Sequence, residues 1–123
     1  MSEESKRRLL IVLESKSIEE ILKKELQPEY NITFNYKGHD AIEIVKQEQD
    51  VDLVILGTKF EDNIYWRDVS EEIRIVDKGM PIIIYTASEE YGNIPYMFEI
   101  KAYILHPNTD KLKIKIKEAL EIE

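Results

Sequence analysis

The sequence predicts an α/β domain in which five parallel strands are wound on both faces by helices. Apolar runs of strand length at Leu9–Leu13, Asp52–Leu56 and Ile82–Thr86 carry most of that expectation. Near-continuous apolarity marks strands that are covered on both sides. Stretches with apolar residues at helical spacing lie between the strands, and this alternation calls for a parallel sheet. A chain of 123 residues suits one core.

The elements follow in order. Leu9 to Leu13 is the first strand. Ser17-Ile18-Glu19-Glu20 has the capping-box spacing, so a helix is expected with Ser17 as its N-cap. Ile18, Ile21, Leu22 and Leu26 then recur at helical spacing, and Pro28 stands just past the end. Tyr30 to Tyr36 alternates and is rich in β-formers, giving a second strand. Gly38 breaks it, and Ala41, Ile42 and Val45 mark a second helix. After the third strand, Asp52 to Leu56, a loop with Phe60, Tyr65 and Trp66 leads into a helix whose inner face is Val69, Ile73 and Val76.

Gly79-Met80-Pro81 ends that helix, and Ile82 to Thr86 is the clearest strand. Gly92 and Pro95 interrupt residues 88–100, so any helix there is short or irregular. Ala102 to Leu105 is a fifth strand, stopped by Pro107. Lys111 to Lys117 alternates strictly, as a strand would. A cap at Asn108 or Thr109 and a face of Leu112, Ile116, Ala119 and Leu120 favour a helix, which leaves Ile114 on its wrong side.

No linker, repeat or low-complexity stretch divides residues 1–123, so one domain is expected, with its core at about 8–120 and residues 1–6 frayed. No apolar run is long enough to span a bilayer and no signal-peptide pattern opens the chain, so no membrane partner is expected. Without cysteine there is no disulfide, thiolate metal site or cysteine nucleophile, which agrees with a cytoplasmic setting. A formal charge of −8 opposes general nucleic-acid binding, which rests on neutralising phosphates. Lys6-Arg7-Arg8 is short and reads as a solvated lead-in to the first strand.

Four positions near strand ends give the chain its character. Ile11-Val12-Leu13-Glu14 closes the first strand, Gly57 follows the third, Thr86 ends the fourth, and Tyr103-Ile104-Leu105-His106-Pro107 closes the fifth. In element order and in the place of these motifs, residues 8–120 resemble a response-regulator receiver (CheY-like) domain. That resemblance implies a flavodoxin-like (βα)5 fold with its site beyond the carboxyl ends of the strands. Leu13, Glu14, Gly57, Thr86 and His106 are expected to converge there. The family has two acids where Leu13 and Glu14 stand, an aspartate phosphoacceptor at Gly57, a hydroxyl at Thr86 and a lysine at His106.

Gly57 has no side chain and cannot act as nucleophile or metal ligand. One acid, Glu14, is little for Mg²⁺, which prefers octahedral oxygen coordination. Histidine does not reproduce the reach and fixed charge of lysine at neutral pH. The expectation is therefore a degenerate phosphorylation pocket, with no metal, no cofactor and no enzymatic activity. Function would then lie in contact with a protein partner of a signalling pathway, or with a second copy as a homodimer. The resemblance assigns the contact face to the fourth helix, fifth strand and fifth helix, with Tyr103 at the aromatic switch position and Tyr96 and Met97 nearby.

Two alternatives stand beside this reading. One is phosphorylation on a non-standard acid, Glu61 or Asp62; both lie several residues past the strand and are expected to point to solvent. The other is a small-molecule sensor using the pocket vacated at Gly57, lined by His106 and Thr86. Thr86 also reads simply as a strand residue with a local hydrogen bond, and His106 and His39 as structural histidines. Phe60, Tyr65, Trp66, Tyr91 and Tyr96 are contact anchors or covers for the ends of the core.

Overall fold

Five parallel strands form the sheet of this computed structural model, which describes residues 6–14, 16–27, 29–86, 100–105 and 108–121. The strands are β1 (Arg8–Val12), β2 (Asn31–Asn35), β3 (Leu53–Leu56), β4 (Ile82–Thr86) and β5 (Ala102–Leu105), in the spatial order β2-β1-β3-β4-β5. The described helices are α1 (Lys16–Leu26), α2 (Gly38–Gln47), α3 (Trp66–Val76) and α4 (Thr109–Glu121). The irregular helix expected over 88–100 falls almost wholly outside the described residues.

Alternate residues of β1, β3 and β4 feed separate cores. Leu10, Val12, Val54, Leu56, Ile82 and Ile84 pack with Ala41 and Val45 of α2 and Val69 and Ile73 of α3. Leu9, Ile11, Leu53, Ile55, Ile83 and Ile104 pack with Leu22 and Leu26 of α1 and Leu112 and Ile116 of α4. That period of two explains the unbroken apolar runs, since both strand faces are covered. Each such side chain contributes about 1.5–3 kcal/mol when fully buried.

Several helix details differ from expectation. Ser17 is the second residue of α1, so the helix starts two residues earlier than its capping-box spacing suggests. Gly38 is the first residue of α2, and a Cβ there would lie 2.6 Å from Ile64 Cγ1 and 2.8 Å from Val69 Cγ2. Its small size lets the α2 terminus press against α3. Val76 is half-exposed, and the buried face of α3 is completed by Trp66 and Ser70. Asn108 is the acceptor at the start of α4, taking the Lys111 backbone N–H at 3.1 Å. Leu112, Ile116, Ala119 and Leu120 are buried as expected, and Ile114 is exposed.

Arg8 is no solvated lead-in. Its guanidinium donates to Glu48 and Asp50 at 2.5 and 2.6 Å and to Thr33 Oγ1 at 3.0 Å, while its backbone N–H donates to Asp52 at 2.7 Å. This cluster joins β1 and β2 to the segment entering β3 at the amino edge of the sheet. Among the described residues no helix is long and apolar enough to cross a membrane.

Candidate functional site at the carboxyl edge of the sheet

Side chains just past the strand ends of an open parallel sheet face whatever binds there. Here Leu13 and Glu14 follow β1, Gly57 and Thr58 follow β3, and Thr86 ends β4. Val12 pairs with Leu56, and the Gly57 N–H donates to the Val12 carbonyl at 2.9 Å, so the ladder holds Leu13 beside Gly57. Leu13 is 3% exposed and belongs to the core on the α1–α4 side. A Cβ at position 57 would lie 3.1 Å from Leu13 Cδ2 and 3.8 Å from Leu13 Cα. No glycine has a positive φ among the described residues, so backbone conformation does not require glycine here. What a side chain here meets is Leu13 of the adjacent strand, whose Cδ2 would have to give by a few tenths of an ångström.

Glu14 is exposed beside Leu13. Thr86 is buried, and its hydroxyl stands 3.2 Å from that of Thr58, just past the end of the neighbouring strand. Thr58 carried no signal in the sequence, because the contact spans two strands. His106, Tyr91, Tyr96 and Met97 lie outside the described residues. Tyr103 enters only through its place in β5, paired with Ile84; the switch role of its side chain lies outside what is described.

The loop after β3 corrects a further expectation. Glu61 is exposed, but Asp62 turns inward and accepts the backbone N–H groups of Gly38 and His39, each at 3.0 Å. His39 Nδ1 lies 2.8 Å from the same carboxylate. Lys37, the N-cap of α2, makes no side-chain cap, so Asp62 supplies it from 24 residues away. Asn63 takes the left-handed conformation (φ 67°) that turns the loop back, a conformation asparagine tolerates. Phe60 and Trp66 are buried covers of the core, and Tyr65 is exposed.

Burial pushes the Asp62 carboxyl up, but the His39 and Gly38 backbone N–H groups and the His39 ring outweigh it and hold the carboxyl below its ordinary value. A depressed folded-state value gives stability that is present above the unfolded pKa of about 4 and lost as pH falls through the folded one. Asp62→Ala is thus expected to cost about 1 kcal/mol at neutral pH. That deficit is expected to vanish in acid, read as converging thermal melts of the two proteins below pH 4.

No family model and no curated protein matches the sequence. Among solved structures, a response-regulator receiver (CheY-like) domain from Methanospirillum hungatei JF-1 superposes with a TM-score of 0.84 over 95% of each chain, at 26% identity. The response regulator TrrA from Thermotoga maritima, in complex with Mg²⁺–BeF, shares 34% identity over 93% of this chain and 99% of that chain, with a TM-score of 0.83. The chain belongs to the response-regulator receiver family. It is accordingly a module of the two-component signalling type, with the α/β fold of its relatives.

The Mg²⁺ that accompanies receiver phosphorylation does not fit the residues of this site. Leu13 is apolar, Gly57 offers no ligand, and Glu14 is the one carboxylate among the described residues just past β1 and β3. No group of three or more His, Cys, Asp or Glu side chains suited to a metal occurs among the described residues.

Proposed function

We propose that this receiver works without phosphorylation, as a non-enzymatic signalling module that acts by contact with another protein in the cytoplasm. One observation carries the reading: position 57 has no side chain, and the residue held beside it is the apolar, buried Leu13. A phosphoryl group needs an in-line carboxylate and a cation to neutralise its charge, and among the described residues just past β1 and β3 the one carboxylate is the exposed Glu14. The alternative acids do not mend it. Asp62 is engaged as the cap of α2, and Glu61 is exposed in the loop beyond. The buried Leu13 equally weighs against a small-molecule site at Gly57.

The deciding measurement is amide NMR of the labelled protein during addition of Mg²⁺ and then beryllofluoride, which mimics a bound phosphoryl group. Glu14, Gly57, Thr86 and Tyr103 are expected to keep their resonance positions. A joint, saturable shift of these four would overturn the proposal and assign the site to a phosphate-switched regulator.

A further inference from the structure

We infer that the protein associates with copies of itself head to tail, the outer face of α4 docking into the groove between α2 and α3 of the next copy. The groove is an open trough of about 320 Å³. Ile42 and Ile64 line it, and Glu43, Asp68, Glu71 and Glu72 supply its acidic side chains. Its remaining members are His39 and Lys46. The exposed Ile75 lies three residues beyond Glu72 on α3. Glu71 and Glu72 have no ion pair among the described residues.

The opposite face of the molecule carries the complement. Ile114 is 55% exposed in the middle of α4, and Lys111 and Lys117, three residues to either side, share its face of the helix. Lys113 and Lys115 are satisfied by Glu25 and Glu118, whereas Lys111 and Lys117 have no ion pair among the described residues. An apolar anchor between two lysines about 9 Å apart along the axis suits a mainly acidic trough with Ile42 and Ile64 in its lining. The two surfaces pack on opposite faces of the sheet, so a single copy cannot bring them together. A second copy can, and the contact is heterologous, which makes chains or rings rather than a two-fold dimer. One helix in one trough is a small interface, so the association is weak, concentration-dependent and weakened by salt.

This specifies one partner for the contact module proposed above, and it stands apart from the phosphate question, which the beryllofluoride titration decides separately. Sedimentation velocity of the full chain tests it with two variants altered only at exposed positions. One is Lys111→Gln/Ile114→Ser/Lys117→Gln, and the other is Glu71→Lys/Glu72→Lys; circular dichroism confirms that each is folded. The wild type is expected to sediment faster as concentration rises, and each variant alone to associate at least about tenfold more weakly. An equimolar mixture of the two keeps one intact junction, so it is expected to form a discrete heterodimer and nothing larger. A wild type that stays monomeric at every concentration overturns the inference. So does a groove variant that still self-associates, which would point to α4 pairing with α4, or a mixture that stays monomeric.

Discussion

Gly57→Asp is expected to lower stability by about 1–3 kcal/mol, because the new Cβ crowds Leu13 Cδ2 at the edge of its core. The same substitution is the obvious route to restoring a phosphoacceptor, and it is expected to fail alone. Leu13→Asp added to it removes the crowding and sets two carboxylates side by side, with Glu14 next in the chain. Like charges at that distance repel, so the double variant starts from a lower baseline, deepened by the loss of Leu13 from its core. That repulsion is what a divalent cation relieves. Urea melts are expected to show an unfolding free energy for the double variant that rises with Mg²⁺, by about 2.7 kcal/mol at one hundred times its Kd. The wild type is expected to show no such rise. A Gly57→Asp protein as stable as the wild type would mean that Leu13 gives way at no cost.

Trp66→Ala is expected to cost about 3–5 kcal/mol, about a fifth or more of the stability of an ordinary small domain. Trp66 is 2% exposed and shares its core with Phe60, Val69 and Ile73. It opens α3 directly after the loop that carries Asp62, so its loss removes packing where that loop meets the helix. Far-UV circular dichroism is the readout, since Trp66 is the chain's one tryptophan and its fluorescence disappears with it. A loss below about 1 kcal/mol would place the indole at the margin of the core, where truncation leaves little cavity.

The strands were legible because burial on both faces writes itself into consecutive residues, as in Ile82-Ile83-Ile84. The final helix was legible despite its alternating lysines, since Leu112, Ile116, Ala119 and Leu120 keep helical spacing and Asn108 caps it. Helix starts were harder. Ser17 had the right spacing for a cap two residues too late, and α2 draws its cap from Asp62, far along the chain. At the site, the missing side chain of Gly57 could be read directly, while its contact with Leu13 could not. That contact depends on the register of β1 against β3, as the Thr58–Thr86 contact depends on β3 against β4.

The contact between Leu13 and Gly57 also bears on how freely position 57 can vary. Leu13 is buried and belongs to the core on the α1–α4 side, whatever signal the domain carries. A side chain introduced at position 57 alone presses on Leu13 Cδ2, and relief by changing position 13 weakens that core. Fold stability and site chemistry thus compete for one side chain.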